Sequence, residues 1–279
     1  MNRKEKSVVT TSDKNSEVLS IIHSNVAGID IGSKENWVSV SPEICKDNIR
    51  QFGSYTEDLI NIANWLVECK VTSVVIESTG IYWVPLYEIL EKYNIEINLC
   101  NANYAKNLPG RKKTDKYDCD WLRKLHSYGM LSSSFIPEKS IREIKTIARY
   151  RNKLTQENNR NILRIQKSLT LMNFYLHLVV SDIKGQTGMA IIHAILNGES
   201  DPEKLVTLRN KRIKTSKEEM IKALKGNIQF EHLFIMKRAV ESYEFICTQI
   251  EQCNSAISNL FSHLQKKNNA DSEDNKKKL

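Results

Sequence analysis

A chain of 279 residues with 41% hydrophobic content is long enough for one large domain or two ordinary ones and can bury a packed core. Its formal net charge of +8 favours an anionic partner, nucleic acid first. No apolar run is long enough to span a membrane and the N-terminus has no signal-peptide core. The six cysteines are scattered among apolar residues without a C-x-x-C pair. They read as reduced, mostly buried thiols of a cytoplasmic protein, not as a zinc site or a disulfide frame. The histidines show no H-x-x-x-H pairing, so no histidine metal site is expected.

Taken in order, residues 1–24 are polar and lysine-bearing and read as a flexible arm, ending in a short helical piece at Val18–Ile22. Val26–Ile31 is a β-rich run broken by Gly32 and Ser33. Trp37–Val40 and Gln51–Tyr55 follow as strands, and the short turns between them predict antiparallel hairpins. Thr56 is the expected N-cap of a helix carrying Leu59, Ile62, Ala63, Leu66 and Val67 at helical spacing. Val71–Ile76 is a continuous apolar strand suited to the centre of a sheet, ending in Glu77-Ser78-Thr79-Gly80. Pro85 stands near the start of the next helix, which runs to about Lys92, and Ile95–Leu99 is a further strand.

The stretch from 101 to 125 then combines a turn signal (Asn107, Pro109, Gly110), a basic run (Arg111, Lys112, Lys113) and two acids, Asp115 and Asp118, opening an apolar-periodic helix. On a helix the two acids are i, i+3 neighbours, about 5–6 Å apart at Cβ. The bland reading is a helix whose first turn carries acids to suit its dipole. The order β-β-β-α-β-α-β-α decides against it. Three hairpin-linked strands followed by crossovers make a mixed α/β sheet of the ribonuclease H-like kind. In that order Asp30, Glu77 and the Asp115/Asp118 pair can meet at one end of the sheet, where ligands of open α/β sheets bind. Four carboxylates so placed repel one another until cations arrive. Two Mg²⁺ ions about 3.5–4 Å apart would relieve the repulsion and serve phosphoryl transfer on nucleic acid.

VAGIDIGSKENWVSV, VVIESTGIYWVPLYEIL, NANYAKNLPGRKKTDKYDCDWL and LHSYGMLSSSFIP closely resemble the DEDD transposases of insertion sequence family 110, relatives of the Piv-type DNA invertases. The resemblance runs from about residue 25 to the late 250s. It implies a RuvC-like domain of ribonuclease H fold over residues 25–140, with the family's four acids falling on Asp30, Glu77, Asp115 and Asp118 as catalytic and metal-binding residues. It also implies a two-metal Mg²⁺ site, DNA substrates, a structured guide RNA and an oligomeric assembly. Members of the family continue into a domain with a Pro-Gly-rich segment and a nucleophilic serine. No counterpart follows here, so the expectation is a chain truncated before that domain.

Residues 141–265 read as helical. Ile141 to about Met172 forms one long helix on which Arg142, Lys145, Arg149, Lys153, Arg160, Arg164 and Lys167 fall within an arc of roughly 100° at 100° per residue. Ile144, Leu154, Ile165 and Leu169 lie opposite, and Arg151 and Asn158 interrupt that apolar face without explanation. A one-sided basic stripe suits a phosphate backbone. Tyr150 and Tyr175 offer faces for stacking on bases, with core packing the expected reading. Thr187–Leu196 and a segment opened by Pro202 are short helices, and Ser216 with Glu219 caps a helix ended by Gly226. Leu233, Met236, Val240, Tyr243, Cys247, Ile250, Asn254, Ile257, Phe261 and Leu264 then alternate in steps of three and four. That is a heptad seam, predicting a coiled coil within the chain or between chains, with Asn254 fixing its register. Residues 266–279 are expected to be a disordered polar tail.

Three functions compete on this reading. The first is a metal-dependent DNA strand-transfer enzyme. The second is a DNA- or RNA-binding remnant without catalysis. The third is an actin-like ATPase, suggested by GIDIGS but lacking the later glycine-rich loops that such a fold needs.

Overall fold

The computed structural model describes residues 20–78, 80–101 and 115–276, without the side chains of Asp115 and 267–276. Two compact units divide the chain between Ile136 and Pro137.

The first unit is built on strands β1 (Val26–Ile31), β2 (Glu35–Ser39), β3 (Ile49–Gly53), β4 (Ser73–Glu77) and β5 (Glu96–Cys100), in the order β3-β2-β1-β4-β5. β1–β2 and β2–β3 are antiparallel, as their short connections require. β1–β4 and β4–β5 are parallel and need crossovers. Helices α1 (Thr56–Glu68) and α2 (Trp83–Leu90) supply them, and α3 (Asp115–Ser127) follows β5. This is the mixed sheet of a RuvC-like, ribonuclease H-like fold.

Period-two alternation divides the sheet into two faces. Ala27, Ile29, Val38, Val74 and Ile76 pack with Ile62 and Leu66 of α1 and with Leu86 and Leu90 of α2. Each buried valine, leucine or isoleucine among them contributes about 1.5–3 kcal/mol over leaving it in water. Val75 and Cys100 lie on the other face, against Leu122 and Leu125 of α3. The cap of α1 differs from expectation by one residue. Tyr55 occupies the cap position, and its N–H donates to Asp58 Oδ2 at 3.1 Å. The acid at the third helical position thus replaces a hydroxyl cap.

Ser20–Ile22 are not helical, contrary to the short helix expected across Val18–Ile22. The N–H groups of Ile22 and His23 instead donate to Ser127 O at 2.8 and 3.1 Å, so tertiary bonds to the end of α3 replace a local helical turn.

The second unit is all helical: α4 (Lys139–Leu171), α5 (Leu176–Val179), α6 (Gln186–Leu196), α7 (Pro202–Thr207), α8 (Lys217–Ala223) and α9 (Phe230–Lys276). Its core gathers Ile165, Leu169, Met172, Phe174, Ile191, Ile195, Met236 and Val240. α4 and α9 pair antiparallel. Arg151 Nε donates to Asn254 Oδ1, Asn158 Nδ2 to Cys247 Sγ at 3.2 Å and Asn161 Nδ2 to Ser242 Oγ at 2.9 Å. Leu154 packs between these bonds with Ile246 and Cys253. The polar interruptions of α4 therefore have partners on α9, two of them seven residues apart on each helix. The seam of α9 is covered from Leu233 to Asn254 within its own unit, while Phe261 remains 49% exposed.

α9 continues through Lys276, past residue 266 where the composition predicts a disordered tail. Extending an existing helix adds a hydrogen bond per residue without a new nucleus, so polar residues can follow a stable segment. Among the described residues, no helix is long and apolar enough to cross a membrane.

Candidate functional site

The register of the sheet brings two of the four predicted acids together. Ile29 of β1 is paired with Ile76 of β4. Asp30 and Glu77 are each one residue further on, at the carboxyl ends of neighbouring parallel strands. Ile29 and Ile76 face α1 and α2, so alternation puts Asp30 and Glu77 on the face covered by α3. Glu77 closes β4 within the ladder, opposite Cys100. The strand thus reaches one residue beyond the expected Ile76.

α3 runs antiparallel to β1 and β4 across that face. Its backbone lies so close to β1 that a Cβ on Gly28 would stand 2.1 Å from Cys119 O and 2.4 Å from Arg123 N. Gly28 is the residue that admits the helix. Further along, His126 reaches Ser73 at the start of β4, with Nε2 and Oγ 2.8 Å apart. The opposite end of α3, carrying Asp115 and Asp118, therefore lies toward the strand ends that bear Asp30 and Glu77. Asp118 is 8% exposed and Glu77 6% exposed, both deeply set for carboxylates.

Asp120, not singled out in the sequence, fixes α3 sideways. It accepts hydrogen bonds from Ser39 Oγ of β2 at 3.0 Å, from Arg123 Nε and Nη2 at 3.0 and 2.8 Å, and from Lys124 Nζ at 2.8 Å. Burial raises its pKa, but the bonds from Lys124 and Arg123 outweigh burial and hold the carboxyl below its ordinary value. Asp120 is engaged in docking α3 against β2, and Asp118, two residues before it, is buried on the same helix.

Two thiols report the charge of the site. Cys119 is pushed up to about 12, first by burial and then by the Asp120 and Asp30 carboxylates. Cys100 is pushed up to about 12 by burial and by Glu77. Both stay protonated at neutral pH. All six cysteines are free. Trp37, paired in register with Asp30, keeps a buried indole N–H without an acceptor among the described residues. Sequence reasoning passes over it, because β-rich runs use tryptophan simply for packing.

The donor set of Asp30, Glu77 and Asp118 is all carboxylate oxygen, the chemistry that a hard divalent cation takes. Among the described residues, no three His, Cys, Asp or Glu side chains are gathered tightly enough to hold a metal ion. Asp115 opens α3, and its side chain lies outside the described residues, as do Arg111, Lys112 and Lys113.

On α4, Lys145, Arg149, Lys153, Arg160, Arg164 and Lys167 are exposed. None of the six forms an ion pair among the described residues. Arg142 is half-buried and its Nη1 donates to Pro137 O at 3.0 Å, so it also serves the start of its own helix. Tyr150 and Tyr175 are 51% and 37% exposed, which corrects their expected place in the core. Tyr150 stands at the margin of the side of α4 that meets α9, and Tyr175 is the cap residue of α5.

A ribonuclease H-like sheet with carboxylates at the ends of β1 and β4, faced by an acid-bearing helix, defines a class of nucleic-acid-processing folds. Within it, the chain belongs to the DEDD transposase family of insertion sequence 110, whose model, described as a transposase, matches residues 27–174. That span holds all four acids and the whole of α4. No curated protein matches the chain.

Proposed function

We propose that this protein is an insertion-sequence transposase that performs Mg²⁺-dependent phosphoryl transfer on DNA. The observation that carries the proposal is the shared face of Asp30 and Glu77 at adjacent strand ends, with Asp118 on the helix laid across it. Asp30, Glu77, Asp115 and Asp118 would hold the cations. When bound, these activate an attacking oxygen and stabilise the oxygen that leaves phosphorus. The chain's own part is positional. Asp30 and Glu77 are fixed by ladder bonds, and Asp118 by the docking of α3 on Gly28 and Ser39. The exposed cations of α4 bind DNA phosphates, and a structured guide RNA and a second copy of the chain are the further partners that this reading implies. A DNA partner places the protein in the cytoplasm, at the nucleoid.

The test is Asp118→Asn in the full chain, followed by strand cleavage or joining on element-end DNA and by calorimetric titration with Mn²⁺. Loss of both, with an unchanged circular dichroism spectrum, is expected. Retained strand transfer in the variant would sink the proposal. If the parent protein binds DNA in a salt-sensitive way yet never cuts it under any metal, it is a binding protein without catalysis.

A further inference from the structure

A second basic element lies beyond the matched span, between α7 and α8. Residues 208–217 read LRNKRIKTSK, with five cations, Arg209, Lys211, Arg212, Lys214 and Lys217, and no acid. Lys211, Arg212, Lys214 and Lys217 are exposed. None of the five forms an ion pair among the described residues. A solvated surface run normally interleaves signs. The nearest acids along the chain, Glu218 and Glu219, sit in the first turn of α8, where the helix dipole accounts for them.

The loop is held in shape by its own polar groups. Arg209 Nη2 donates to Ile213 O at 2.6 Å, closing the turn from inside. Asn210 Oδ1 accepts from Arg212 N at 3.0 Å, and Ile213 N donates to Asn210 O at 3.1 Å. Two bonds tie the loop to the rest of the unit. Asn210 N donates to Thr187 Oγ1 of α6 at 3.0 Å, and Thr215 Oγ1 donates to Val179 O of α5 at 3.0 Å. Ile213 packs on the unit's core. Arg209 is thus used internally, while Lys211, Arg212 and Lys214 are presented outward from a fixed backbone. Charges on a fixed backbone lose less conformational freedom on binding than charges on a loose tail.

We infer that the loop at residues 208–217 is a second phosphate-contacting site, separate from the α4 stripe, and that its ligand is the backbone of duplex DNA. Duplex DNA is favoured because it presents phosphates on a regular, dense track, which suits a short rigid set of cations. The inference shares with the proposed function only the premise that the chain binds DNA.

The experiment measures fluorescence anisotropy of a labelled duplex with the full chain at a series of salt concentrations. It compares three triple variants: Lys211→Ala/Arg212→Ala/Lys214→Ala in the loop, Arg160→Ala/Arg164→Ala/Lys167→Ala on α4, and Lys46→Ala/Lys92→Ala/Lys237→Ala as a charge-matched control. The loop variant should lower the slope of log affinity against log salt by about 2–3, at roughly 0.9 for each phosphate that is no longer neutralised. The control should leave the slope near that of the parent chain. An unchanged slope in the loop variant overturns the site, as does an equal fall in the control. A fall seen only with a structured RNA probe overturns the assignment to duplex DNA. A fall in the α4 variant alone leaves the proposed function standing and removes this inference, whereas a parent chain that does not bind the duplex removes both.

Discussion

His126 is 6% exposed on α3, at the end of the sheet away from the acids. Its Nε2 is 2.8 Å from Ser73 Oγ, which accepts from Asn98 Nδ2 at 3.0 Å, and its ring stacks on His23 at 5.3 Å. Burial first, and the neighbouring His23 second, push its pKa below the ordinary value, while the Glu96 carboxylate opposes them. The unfolded chain therefore takes up this proton at higher pH than the folded one. The stability held by neutral His126 is complete above the unfolded pKa, about 6.5, and is lost as pH falls from there through the folded pKa. Urea midpoints should be level above about pH 7 and fall below 6.5, and His126→Gln should flatten that fall; an unaltered profile in the variant would refute the assignment. Legibility at this scale is uneven. Asp30, Glu77 and Asp118 can be found because chain order places strand ends and helix starts. Asp120 cannot, because Ser39, the partner that marks its role, lies 81 residues away.

Elements are read from period. The five strands fall within two residues of their expected positions at every end, since alternation and turn residues are local signals. The interruptions of α4 are not readable, because their explanation sits on α9. Asn158 is 6% exposed. Its Nδ2 donates to Cys247 Sγ, and its Oδ1 is buried without a partner among the described residues. An unsatisfied buried carbonyl costs about 1–3 kcal/mol. Asn158→Leu, close in volume and set beside apolar neighbours, should therefore stabilise the chain by about 1–3 kcal/mol in urea unfolding with its slope unchanged. A lowered midpoint would show that the bond to sulfur outweighs the orphaned oxygen.

At the scale of the whole chain, each unit has its own core. The cluster around Ile29, Ile76 and Leu66 draws on residues 27–136, and the cluster around Leu169, Ile191 and Met236 on residues 162–243. Residues 137–279 produced alone should give a helical circular dichroism spectrum and a single cooperative melt. A broad, non-cooperative melt would mean that the helical unit needs the sheet unit to fold. Fold class is legible at this scale because the order of strands and helices admits few topologies. The covering of the α9 seam by α4 stays open in the sequence, since a heptad repeat states that a partner exists and not which one.

The polar ladder between α4 and α9 works as an alignment mark. Hydrophobic heptads alone would let the two helices slide by seven residues at little cost, because one apolar repeat resembles the next. Here a slide of seven would bring Asn254 against Ile144 and Asn158 against Val240, while Arg151 would face Cys247. Each misplaced amide would sit in an apolar socket with nothing to bond. The hairpin formed by the two long helices therefore has one setting, and the distance from its base to any point along α9 is fixed by the chain itself.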